Sequence, residues 1–130
     1  MNPPIIAALD PRFSAGSYTE GLNVHIQDDS ILDITGGLTI EDNVDISLGC
    51  LIYTHAHAFH QANWRNLPKQ ATPLIIRTGV FIGAKSIIIP GVKEIGKYAV
   101  IGAGSVVTRS IPDYEIWAGN PAKKIGDVHH

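Results

Sequence analysis

The segment YTHAHAFH places three histidines, His55, His57 and His60, within a few positions of one another. An imidazole titrates near neutrality, so it suits the removal of a proton from a weak nucleophile such as a hydroxyl. The remaining internal histidine, His25, stands alone. The terminal pair His129 and His130 resembles a tag remnant and carries no site argument. Cys50 is the single cysteine, which excludes an internal disulfide and any CxxC metal or redox motif. The chemistry open to this loop is therefore acid–base work by imidazole.

The elements that position these groups follow from composition and repeat. The chain has 130 residues, a formal net charge of −2, 45% apolar and 17% charged residues. That length predicts one domain, and the apolar fraction excludes a disordered chain. The charge balance provides no field for nucleic acid or an anionic membrane. No apolar run approaches the length of a spanning helix, and the first residues lack a signal-peptide pattern, so a cytoplasmic domain is expected. Isoleucine outnumbers leucine more than two to one, and glycine and proline are frequent, which favours short strands and turns.

A step of six residues runs through the chain. Ile26 and Leu32, then Ile40, Ile46 and Ile52, then Ile76, Ile82 and Ile88, then Ile95, Ile101 and Val107 all keep it. Four residues after these anchors come Val44, Cys50, Val80, Ser86, Ala99 and Ser105, all small or β-branched. This is the hexapeptide pattern of a parallel β-helix, in which three short strands make a triangular coil. Each anchor points inward and stacks on its counterpart in the next coil, and the small residue fits the corner. A 3.6-residue helix cannot keep one face at a period of six. The fold expected is all-β, with residues 1–23 as an N-terminal cap or arm and coils over 24–52 and 74–111. A protruding loop, 53–73, carries the histidines, and a terminal strand and cap occupies 112–130. A long insertion without the repeat is a functional candidate, and Cys50, on a corner position, is expected to be buried packing.

The segments VFIGAKSIIIPG and IGKYAVIGAGSVVTRSIPDYEIWAGNPAKKI, with GGLTIEDNVDISLGCLIYTHAH upstream, resemble hexapeptide-repeat acyltransferases. The resemblance covers residues 24–126 and is nearest to sugar O-acetyltransferases of the maltose, galactoside and lipopolysaccharide-modifying kind. It implies a single-stranded left-handed parallel β-helix, a homotrimer, and acetyl-CoA in the cleft between subunits. Acetyl would pass directly from CoA sulfur to a hydroxyl of a sugar or glycan precursor, with no metal required. His57 matches the general base and His55 the first histidine of a THxH variant, with Ala56 where an acidic residue is common. Asp33 matches an acidic residue near the acceptor. Phe81 stands where relatives keep a tryptophan beside the pantetheine arm, and Ala84 and Ala103 match backbone contacts to CoA. Thr108, Arg109 and Lys123 match the phosphate end, while Gly126 replaces a second arginine whose part Lys124 could take.

The resemblance begins beyond the N-terminal helical segment of the maltose and galactoside enzymes. GLNVHIQDDSILD is also shorter than their matching coil, which favours the lipopolysaccharide-modifying branch. Trp64 and Arg65 are candidates for the mouth of the site. Two other readings share the fold. One is a non-catalytic scaffold or assembly subunit. The other is a zinc enzyme of the carbonic-anhydrase type, disfavoured because its three histidines come from well-separated strands.

Overall fold

A computed structural model describes residues 1–57 and 70–129; His60, Trp64, Arg65 and His130 lie outside the described residues. The repeat produces the expected architecture. Parallel strands, all but the last of two or three residues, fold into three sheets that share one core. The first sheet stacks β1 (Ile5–Ala7), β4 (Ile31–Asp33), β7 (Leu51–Ile52), β12 (Ile87–Ile88) and β15 (Val106–Val107). The second stacks β2 (Tyr18–Glu20), β5 (Leu38–Ile40), β10 (Leu74–Ile76) and β13 (Glu94–Ile95). The third stacks β3 (His25–Ile26), β6 (Asp45–Ile46), β11 (Phe81–Ile82), β14 (Val100–Ile101) and β16 (Glu115–Gly119), closed by the antiparallel β17 (Ala122–Asp127). No described residue is helical, and no helix is long and apolar enough to cross a membrane.

Register carries the sequence period into three dimensions. Leu32 lies beside Ile52, Ile52 beside Ile88 and Ile88 beside Val107. Ile40–Ile76–Ile95 and Ile46–Ile82–Ile101 form the other two columns. Every anchor except Ile26 is no more than 1% exposed, and the corner residues Val44, Cys50, Val80, Ser86, Ala99 and Ser105 are buried with them. Burying one such aliphatic side chain contributes about 1.5–3 kcal/mol, so the three columns supply most of the driving force.

The corners add a rule that the six-residue period does not express. The residue just before a corner residue is left-handed at Asn43, Gly49, Gly79, Lys85, Tyr98 and Gly104. Asn and Gly adopt that conformation readily; a lysine or tyrosine does so at a cost. Neighbouring coils offset it. The Tyr98 ring lies over Gly79, where a Cβ would collide with it, and stacks on Tyr114 with centroids 5.5 Å apart.

Two boundaries differ from expectation. Residues 1–23 are not an arm: β1 and β2 pair in parallel onto β4 and β5 and make a complete first coil with β3. Ile6, Tyr18, Val24 and Ile26 pack against the core, but the position matched to the anchor Ile40 is the exposed Glu20. The segment between β1 and β2 sets it fourteen residues after Ile6, so the aliphatic step is broken here. The segment 53–73 also contains structure, since β8 (His55–Ala56) and β9 (Gln70–Ala71) pair antiparallel and form the base of a hairpin. The terminal 112–130 region holds two strands rather than one.

The Cys50 thiol is fully buried and donates to the Gly83 carbonyl at 3.2 Å; burial pushes it above its ordinary pKa. It should stay unreactive to an aqueous thiol reagent until the chain unfolds. Ile82→Ala should lower stability by about 2–5 kcal/mol in chemical denaturation. Ile125→Ala, at a position 67% exposed, should change it by less than about 0.5 kcal/mol.

Candidate active site

The site grows from a carboxylate at the end of β4. Asp33 is fully buried. Its Oδ1 accepts the Leu9 amide at 3.0 Å, the Thr35 amide at 3.1 Å and the Thr35 hydroxyl at 2.6 Å. Its Oδ2 accepts the Thr54 amide at 3.0 Å and lies 2.6 Å from His55 Nδ1. The Thr54 hydroxyl points at both the Asp33 carbonyl and Oδ2, at 2.9 and 3.2 Å. Leu9, Asp33 and Thr54 belong to three successive coils, so one side chain bridges the stack where the chain turns out of the first sheet. Gly36 passes beneath this corner, donating to Thr54 Oγ1 at 2.9 Å, and a Cβ there would strike the Thr54 carbonyl.

Burial by itself would raise the pKa of Asp33, but hydrogen bonds from Thr35, His55, Thr54 and Leu9 outweigh it and hold the carboxyl well below its ordinary range. The Asp33 carboxylate holds His55 through Nδ1, which leaves Nε2 as the ring nitrogen not engaged by Asp33. His57 lies edge-on to His55, with ring centroids 6.1 Å apart. The His55 side chain is 12% exposed and that of His57 is 29% exposed, so His57 is the more open to a substrate. Its Nε2 stands 3.9 Å from Oδ2 of Asp10, a buried carboxylate whose own amide donates to Thr35 Oγ1 at 3.2 Å. Thr35 thus joins the Asp33 carboxylate to the backbone of Asp10. A ligand atom from each of Asp10, His55 and His57 lies within 4.8 Å of the others.

The structure therefore brings together His57, His55 and Asp33. Asp33, expected beside the acceptor, has no exposed surface, and its two oxygens are engaged by protein groups. Asp10, Thr35 and Thr54 are additions to the expected set. Thr54 stood in the THAH motif without an assigned part. Asp10 carried no sequence signal, because an isolated Asp-Pro reads as a turn.

The residues expected to hold CoA lie further along the stack. Ala84 and Ala103 occupy the corner that leads into β12 and β15, where the Gly104 amide donates to the Ala84 carbonyl at 2.8 Å. Phe81, on β11, is 43% exposed. Thr108, Arg109 and Lys123 line one cavity of about 240 Å³ with Trp117, Pro121, Ala122 and Lys124. Three cations around an open pocket fit an anionic ligand. Lys124 is already paired with Glu115 at 3.3 Å and Asp127 at 3.0 Å, which makes it a poorer substitute for the arginine that Gly126 replaces.

Asp33→Asn should cost about 3 kcal/mol at neutral pH, since it removes the charge from a buried network. A carboxyl depressed on folding contributes stability that is fully present above its unfolded pKa and fades as pH falls towards its folded one. Urea titrations should show a constant gap between wild type and Asp33→Asn from pH 8 to 5. The gap should shrink below about pH 4, where unfolded carboxyls begin to bind protons.

No family model matches the chain. Among curated proteins it is 32% identical to the galactoside O-acetyltransferase of Escherichia coli K12 over 130 residues, covering 99% of this chain and 61% of that enzyme. Among solved structures it superposes on a maltose O-acetyltransferase from Clostridium difficile 630 with TM-score 0.81 and 36% identity, over 87% of this chain and 60% of that one. A galactoside acetyltransferase in complex with coenzyme A matches with TM-score 0.79 and 29% identity, over 97% of this chain and 64% of that one. The chain thus spans about three fifths of these relatives. The hexapeptide repeat, the stacked parallel coils and these likenesses agree: the chain is built as a left-handed parallel β-helix and is similar to the hexapeptide-repeat acyltransferases.

Proposed function

We propose that the chain is an acetyl-CoA-dependent O-acetyltransferase that acetylates a hydroxyl of a sugar or glycan precursor, with His57 as general base. The observation that carries the reading is the pair of imidazoles beside a buried, ionised carboxylate on a fold similar to a coenzyme A-bound acetyltransferase. The names of the relatives, galactoside and maltose O-acetyltransferase, support a sugar acceptor.

The chemistry needs one base and one oxyanion donor. Bound acetyl-CoA supplies the activated acetyl group. His57 takes the proton from the acceptor hydroxyl as its oxygen forms the new bond to the acyl carbon, and the imidazolium returns that proton to the departing sulfur. The oxygen–carbon bond forms, the carbon–sulfur bond breaks, and no acyl-enzyme is needed. His55, its Nδ1 held by Asp33, keeps a fixed ring against which His57 packs. Arg109 and Lys123 answer the phosphates of CoA, and a backbone amide near Ala84 or Ala103 is the candidate oxyanion donor.

This reading includes a homotrimer. The histidines follow β7 at one edge of the first sheet, whereas Ala84 and Ala103 lie at its opposite edge. About six residues of extended chain separate such edges, roughly 20 Å. One copy's histidines and the next copy's alanine corner would together complete a cleft, and a rotation that closes gives a ring.

His57→Ala should reduce acetyl transfer, read as CoA release, by about 10²–10⁴-fold with an unchanged melting temperature and unchanged CoA affinity. Equal loss in His55→Ala alone, with His57→Ala fully active, moves the base by two residues. Arg109→Ala with Lys123→Ala should weaken CoA binding, more at low salt than at high salt. Light scattering that finds only monomer at micromolar concentration removes the shared cleft.

A further inference from the structure

We propose that Asp10, His55 and His57 form a binding site for a divalent metal ion of the zinc class, and that an ion held there blocks the proton-accepting nitrogens. The binding claim stands on the donor geometry; the blocking claim rests on the function proposed above.

Two imidazoles and one carboxylate are a donor set that zinc accepts, with a fourth position left for water. One ligand atom of each residue lies within 4.8 Å of the other two, and His57 Nε2 is 3.9 Å from Asp10 Oδ2. Zinc binds such donors at about 2.0–2.2 Å, which puts neighbouring donors roughly 3.3–3.5 Å apart around a tetrahedral ion. Closing the set therefore takes a movement of about an ångström. His57 can supply it, being the more exposed of the two rings.

The surroundings are those of a metal ligand set. A ligating histidine ordinarily donates its second nitrogen to a carboxylate, which fixes the ring and raises its basicity. Asp33 does this for His55 at 2.6 Å, directing Nε2 as the donor. Asp10 is 6% exposed, and its backbone is tied to Thr35, which also holds Asp33. Arg12 Nε, on an exposed side chain, lies 3.6 Å from Asp10 Oδ1, so the ion would be held through Oδ2, the oxygen that faces His57. Nitrogen donors favour nickel, copper and zinc over magnesium and calcium, which prefer all-oxygen sites.

Calorimetry with Zn²⁺ alone tests binding, using the metal-stripped full chain with His129→Ala and His130→Ala. The expected result is one ion per chain, with affinity reduced at least tenfold in Asp10→Asn and in His57→Gln. Cys50→Ala and His60→Ala should bind as the parent does, and Mg²⁺ should give no saturable heat. Absence of saturable Zn²⁺ binding overturns the site, as does unchanged affinity in both Asp10→Asn and His57→Gln. Should Asp10→Asn fail to fold by its melting curve, His57→Gln decides alone. Stoichiometric Zn²⁺ should abolish CoA release and a chelator should restore it; full turnover with zinc bound overturns the blocking role. Calorimetry reads the ion without any acetyl transfer, so a failed acetylation assay leaves the binding result intact.

Discussion

The Asp33 carboxylate stands where the backbone ladder of the β-helix would otherwise break. A coil of two- and three-residue strands satisfies its amides through the coils above and below, and this works only while those coils turn in register. At the corner after the first sheet the third coil leaves the stack to make the histidine hairpin. The amides of Leu9, Thr35 and Thr54 there turn to one side chain instead of to carbonyls. A neutral side chain has too few lone pairs for this, whereas an ionised carboxylate has about four acceptor sites. Structure and chemistry thus meet in one residue: the charge that closes the corner also fixes the His55 ring.

Fold and site share a division of labour. The three aliphatic columns are indifferent to corner chemistry, because each stacks on its own neighbours. That independence lets the third coil carry a long insertion between β7 and β10 while Leu74 still pairs with Leu38 and Ile76 with Ile40. A loop that re-enters a stack in register costs little beyond its own ordering. The insertion's base, clamped by β8 against β9, holds His55 and His57 at a defined place.

The carboxylates also divide their work. Asp33 is saturated by protein donors and serves as an orienting group. Asp10 is set by its amide on Thr35 and turned towards His57. Two imidazoles with distinct carboxylate neighbours need not behave alike, and they differ in exposure, His57 being the more open and His55 the more enclosed.

Much of the fold was legible because a period of six repeats the same local decision many times. Ile40, Ile46, Ile52, Ile76, Ile82 and Ile88 each report an inward position, and their agreement identifies the coil without knowledge of any contact. The histidine loop was legible for the converse reason, as a break in the period rich in groups that titrate near neutrality. The first coil was not, since the segment between β1 and β2 interrupts the step and Glu20 stands where the next coil has the anchor Ile40. Nor was the corner made by Asp33, Thr35 and Thr54, whose partners come from coils about twenty residues apart. By itself the sequence determined the strand columns, the corner residues and the candidate base, all of them local and periodic properties. Only the tertiary structure decided that Asp10 meets His57 and that Asp33 faces inward. Those depend on which coils lie adjacent and on how a buried charge finds enough donors, and neither is written in the spacing of residues along one chain.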